Sequence, residues 1–162
     1  MKKYYLLLFT TLFVNVMLYA QGFPGYKLKT TDNTISSVEE LKGEKITILD
    51  FWATWCKPCV TSIPKINSIY EEFKDSGVQV IGANIDDPRN MAKVKPFAVS
   101  IGINYPILLD PNQELLAEYN VTAIPTLVIL NHKGEVLLVH EGFNPGDEQL
   151  LKQEINQFIK NL

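Results

Sequence analysis

Asp50-Phe51-Trp52-Ala53-Thr54-Trp55-Cys56-Lys57-Pro58-Cys59 is the stretch whose reading decides the fold. Ahead of the cysteines, Ile46 to Trp52 is apolar and rich in strand formers. Behind them, Val60 to Phe73 carries Ile63, Ile66, Ile69, Tyr70 and Phe73 at helical spacing. A Cys-x-x-Cys at a strand-to-helix junction reads as a redox dithiol. The first cysteine then lands at a helix N-terminus, where unpaired N–H groups and the helix dipole favour negative charge. Its thiol is acidified, and the thiolate is the reactive form. The second cysteine lies about one turn further on, close enough to attack a mixed disulfide on the first. Cys56 and Cys59 are the only two cysteines among 162 residues. As a structural staple they would close a very short loop and remove little unfolded-state entropy, so the redox reading prevails.

Working outward, Lys45 to Trp52 is expected to be a buried central strand and Cys56 to Ser76 a helix stopped by Gly77. Upstream, Tyr26 to Thr30 and Thr34 to Ser36 flank Thr31-Asp32-Asn33 as a small hairpin, and Val38 to Leu41 reads as a helical turn ended by Gly43. Downstream, Val78 to Ile85 is a strand, Pro88 opens a helix to about Ser100 with a kink or break at Pro96, Tyr105 to Leu109 is a short strand, and Asn112 to Tyr119 a short helix. Thr126 to Leu130 and Val136 to Glu141 flank Asn131-His132-Lys133-Gly134 as a hairpin. Asp147 to Lys160 closes the chain as an amphipathic helix with Leu150, Leu151, Ile155, Phe158 and Ile159 on or near one face. Strands alternating with helices, then a terminal hairpin, argue an α/β fold: a mixed sheet covered by helices on both faces.

The N-terminus has the composition of a signal peptide. Lys2 and Lys3 precede a mostly apolar run from Tyr4 to Tyr19, and Ala20 ends it. The run is shorter than the ~20 residues of a spanning helix, so cleavage is favoured over an anchor. The expected organisation is a signal at residues 1–20, a short linker at 21–25 and one domain at 26–162. Without residues 1–20 the chain has 142 residues and a net charge of −5, because that segment carries two lysines and no acid. A mildly acidic chain with no basic stripe argues against nucleic-acid binding. His132 and His140, the only histidines, lack the compact spacing of a structural zinc site, so no metal is expected. No flavin, haem or nicotinamide motif is present, and no cofactor beyond a Cys56–Cys59 disulfide is expected.

Asp50 lies on a strand otherwise made of Ile, Leu, Phe and Trp. A carboxylate is expensive to bury as an ion, so its pKa should rise, which suits it to take the proton from Cys59. Lys57 adds positive charge beside Cys56, and Pro58 is pre-set for a first helical turn. Trp55 offers a flat apolar rim for substrate, whereas Trp52 is expected in the core.

The segment from Asp50 to Cys59 resembles the active site of the thioredoxin family. Pro64 falls where thioredoxins kink the helix after the motif, Ile124-Pro125-Thr126 looks like the cis-proline segment, and Gly142 matches the glycine before the last helix. The signal peptide, the hairpin-like segment from Tyr26 to Lys45 and the 66 positions from Cys59 to Pro125 resemble the exported TlpA/ResA-type branch, with its added strand–helix insert falling within residues 84–119. Two positions depart from that branch: Ser62 stands where many exported relatives carry glutamate, and Asp50 where cytosolic thioredoxins keep a buried aspartate. The resemblance implies a thioredoxin fold and an exported thiol–disulfide oxidoreductase, in the bacterial periplasm, that acts as a monomer. Cys56 would be the nucleophile, Cys59 the resolving thiol and Asp50 the acid/base group, while Ile124 and Pro125 in cis would receive the substrate backbone. Its partners would be disulfide-containing client proteins and a membrane-bound or exported dithiol donor. Reduction is the expected direction, because the Lys57-Pro58 pair lacks the thiolate-stabilising histidine that strong oxidants of this fold place there. The alternatives are a peroxide reductase and a non-enzymatic metal- or client-binding module. The Pro-x-x-x-Thr/Ser-x-x-Cys context of peroxiredoxins is missing ahead of Cys56.

Overall fold

The structure is a computed structural model that describes residues 22–162, so the expected signal peptide lies outside the described residues. Of the expected linker, Pro24 is buried and Phe23 packs against the core under the Lys42 ammonium, 5.0 Å from the ring centre.

The elements run β1 (Leu28–Thr30), β2 (Ile35–Ser36), α1 (Val38–Leu41), β3 (Ile46–Trp52), α2 (Lys57–Phe73), β4 (Val78–Asn84), α3 (Met91–Ser100), β5 (Ile107–Leu109), α4 (Glu114–Glu118), β6 (Thr126–Asn131), β7 (Val136–Glu141) and α5 (Asp147–Asn161). A single seven-stranded sheet has the order β2-β1-β5-β4-β3-β6-β7. The β3–β4 and β4–β5 pairs are parallel and the others antiparallel. This is the expected mixed sheet, with the β1–β2 hairpin at one edge and β5, between α3 and α4 in the chain, joining that hairpin to β4.

β3 is central and every one of its residues is buried. Its period of two sorts them onto two faces. Ile46 and Ile48 join Val78, Val80, Leu127 and Ile129 beneath α2 and α5, which contribute Ile66, Ile69, Phe73, Leu151 and Ile155. Leu49 and Phe51 join Ile81, Ala83, Val128 and Leu130 on the other face, with Val38, Val94, Ala98 and Leu115 from α1, α3 and α4. Each large apolar side chain buried in this way contributes about 1.5–3 kcal/mol. With five of them on β3, the strand can carry one costly carboxyl, Asp50.

Three local expectations are corrected. α3 begins at Met91, not Pro88, because Asp87 closes a turn first: its carboxylate accepts from the Arg89 N–H at 2.8 Å and from Asn90 Nδ2 at 3.0 Å. Pro96 does not break α3, which continues to Ser100. Buried Val94 and Ala98 anchor both sides of the proline, and Phe97 stacks on Trp52 with ring centres 6.4 Å apart. Leu150 is 48% exposed: Leu151 and Ile155, four apart, define the buried line of α5, and Leu150 is rotated about 100° from it.

Candidate active site

β3 delivers the chain to Trp52, and a tight turn leads into α2. The Cys56 N–H donates to the Ala53 carbonyl at 3.1 Å, and Cys56 occupies the cap position with Pro58 in the first turn. Sulfur at a helix cap sits where the terminal N–H groups and dipole favour negative charge. The Cys59 N–H donates to Cys56 Sγ at 3.2 Å, and the two sulfurs form a disulfide. Cys56 is 5% exposed and Cys59 fully buried, so the first cysteine is the one a partner can reach. Lys57 and Pro58 are exposed, and Trp55 stands 64% exposed beside Cys56 in sequence while Trp52 is buried.

Asp50 is fully buried on the face covered by α2. Desolvation pushes its carboxyl up to about 7, and a hydrogen bond from Tyr105 opposes the rise. The Tyr105 hydroxyl donates to Asp50 Oδ2 at 2.7 Å, while Oδ1 has no partner among the described residues. Burial and the adjacent carboxylate raise Tyr105 well above the usual phenol range, so it remains a donor. The sequence marks Tyr105 only as the start of a strand; its hydroxyl comes from a segment 55 positions away.

A second buried carboxylate, Asp86, was also missed. It follows β4 and accepts from the Thr54 N–H at 2.8 Å and from Thr54 Oγ1 at 2.6 Å, with Asn84 Nδ2 bracing it at 2.9 Å. This network ties the turn ahead of Cys56 to the end of β4. The Asn84-Ile85-Asp86 triplet shows no periodicity to mark it. Ser62, the position that departs from the exported branch, is buried and donates to the Cys59 carbonyl at 2.9 Å.

The Ile124–Pro125 peptide is cis, as the resemblance implied. Pro125 is buried, Ile124 half-buried, and the Pro125 carbonyl accepts from the Gly142 N–H at 2.8 Å. His132 is exposed on the β6–β7 turn, and His140 Nε2 lies 3.1 Å from Asp147 Oδ2 at the start of α5. Among the described residues no three metal-binding side chains cluster, and no helix is long and apolar enough to cross a membrane.

The pattern of the AhpC/TSA family matches residues 20–139. The thiol–disulfide oxidoreductase ResA of Bacillus subtilis is 33% identical over 119 residues, 74% of this chain and 65% of that one. The thioredoxin-like protein YneN of the same organism is 37% identical over 123 residues, 75% of this chain and 71% of its own length. A crystal structure from Chlorobium tepidum, described as a thiol:disulfide interchange protein DsbE, superposes with a TM-score of 0.76 at 29% identity, covering 86% of this chain and 96% of that one.

Proposed function

The chain belongs to the AhpC/TSA family of thioredoxin-fold proteins as a thiol–disulfide oxidoreductase of the ResA/DsbE type, and from that premise we propose that it is an exported reductant of client protein disulfides. The observation that carries the reading is the placement of Cys56 at the cap of α2 with Cys59 buried one turn behind it. In the reduced protein the Cys56 thiolate attacks a client disulfide. A Cys56–client bond forms, and the other client sulfur leaves as a thiol after taking a proton. Asp50 then accepts the proton of Cys59, and the Cys59 thiolate attacks Cys56 Sγ. The Cys56–client bond breaks, the Cys56–Cys59 disulfide forms and the client leaves fully reduced. Two electrons have passed to the client, and a separate exported or membrane-bound dithiol must restore the pair.

Export is supported by the composition of residues 1–20, and reduction by the compartment. An oxidising space already makes disulfides, so an exported dithiol that merely matched it would add little. Client contact is best served by exposed Trp55 and the Ile124–Pro125 backbone, with a groove of about 390 Å³ further along α2, where Phe143 and Pro145 face Thr61 and Lys65. Against the peroxide-reductase alternative stand the residues ahead of Cys56, which lack that chemistry's Pro-x-x-x-Thr/Ser-x-x-Cys pattern. The test is turnover of a disulfide-bonded peptide with a dithiol donor, run beside a peroxide-consumption assay. Peptide reduction without peroxide loss is expected; the reverse result would overturn the proposal.

A further inference from the structure

We propose that Tyr105 is a positioning residue for the proton transfer at Asp50, its phenol holding Oδ2 of the buried carboxylate and leaving Oδ1 to take the proton from Cys59. The inference rests on the reading of Asp50 as the base of the resolving step. Three observations carry it. The hydrogen bond is 2.7 Å long between two buried groups, so water does not compete for it. The residue paired with Asp50 on β4 is Gly82, a glycine inside a fully paired strand, where the lack of a side chain ordinarily weakens packing. Here the missing side chain has a use: a methyl group at Gly82 would crowd Trp52 Nε1 at 3.1 Å and Ile107 Cγ1 at 3.3 Å while only touching Tyr105 Cε2 at 3.4 Å, so the glycine lets Trp52 and Ile107 close in beside the ring that meets the carboxylate. Finally, Tyr70 of α2 meets the Tyr105 ring edge-on at 6.2 Å, which holds the ring under the active-site helix.

The surroundings leave Tyr105 as the group that sets the balance at Asp50. β4 presents Gly82 and β6 presents Leu127 in register with it. α2 turns Cys59, Ile63 and Ile66 inward together with the half-buried Tyr70, and α5 turns Leu151 and Ile155. The charges of α5 nearest this face, Glu148 and Lys152, pair with each other and with Lys65 and Glu72. Among the described residues no cation pairs with the carboxylate. A phenol that bonds more strongly to the carboxylate than to the neutral acid keeps the ionised form within reach near neutrality. Tyr105 keeps its own proton throughout, and the proton of Cys59 resides on Asp50 until the client or solvent takes it.

The test uses the full domain with aspartate labelled by ¹³C. Asp50 is titrated directly in the disulfide form, and the pH–rate profile is recorded for release of a small aromatic thiol from a mixed disulfide on Cys56. Tyr105→Phe should move both midpoints up by about one pH unit or more and slow release at pH 7 about tenfold. 3-Fluorotyrosine incorporated at position 105, a stronger donor of nearly the same shape, should move both midpoints down. In the Asp50→Asn background, Tyr105→Phe should leave the profile unchanged. Asp50 midpoints that stay fixed in both Tyr105 variants would overturn the proposal. A base limb that survives in Asp50→Asn alone would instead overturn the reading of Asp50 as base, a failure visible without any Tyr105 variant.

Discussion

At the scale of single residues, the cysteines and Asp50 were legible because each breaks a local pattern. Two cysteines interrupt a strand-to-helix junction, and one acid interrupts an apolar strand. Tyr105 and Asp86 were not legible: an aromatic at a strand start and an acid after a strand are ordinary in sequence, and their meaning lies in partners 55 and 32 positions away. Exposure separates the two thiols. Cys56 should be alkylated in the reduced protein at least about tenfold faster than Cys59, as peptide mapping after limited iodoacetamide would read; equal labelling would contradict the assignment. Cys59→Ala should accumulate client mixed disulfides on Cys56, and normal client turnover by this variant would exclude a two-cysteine mechanism. Asp50 also makes stability depend on pH. Its carboxyl lies at about 7 in the fold against an ordinary 3.8, so between these values the folded chain holds a proton that the unfolded chain has lost. The contribution is fully present below about pH 4 and is lost as pH rises through 7, a swing of roughly 4 kcal/mol as an upper bound. Asp50→Asn removes that dependence. Urea unfolding of the disulfide form should show the variant gaining on the natural protein between pH 4.5 and pH 8, and a constant gap would refute the linkage.

Among the elements, long periodic segments announced themselves, and short ones slid. β3 and the β6–β7 hairpin fall within one residue of their expected bounds and α2 within three, because burial on both faces or on one stripe leaves a strong pattern. β5 begins two residues later than expected and α4 shrinks to one turn or so, because tertiary contacts rather than propensity set their ends. Asp110 shows how: its carboxylate accepts from the N–H groups of Glu114 and Leu116, fixing where α4 can start. Pro96 misled for a related reason, since packing at Val94, Phe97 and Ala98 outweighs one lost helix bond. The same logic assigns Asp86 a mechanical task. Asp86→Ala leaves the Thr54 amide and hydroxyl without their acceptor and should cost about 2–3 kcal/mol, measured as a lower urea midpoint. Asp86→Asn should recover part of the loss, and unchanged stability in both would show that the turn ahead of Cys56 is held by other means.

For the molecule as a whole, the alternation of strands and helices sufficed for an α/β sheet with both faces covered, while the direction of electron flow is a matter of potential that no pattern encodes. Equilibration with glutathione should place the Cys56–Cys59 pair nearer thioredoxin than the strong oxidants; a domain that stays fully dithiol in a mildly oxidising buffer would reverse the proposed direction. The sheet order adds a constraint of its own. Trp52, Asp50 and the cysteines come from one continuous stretch of the chain, but the hydroxyl that meets Asp50 arrives from the segment between α3 and β5. Anyone grafting residues 46–59 onto another scaffold would therefore transplant the reactive sulfurs and Asp50 and leave behind the phenol that bonds to Asp50. A chimera of that kind should exchange disulfides with the pH profile of its host, and carrying over Gly82 and Tyr105 as well should bring the donor's profile with them.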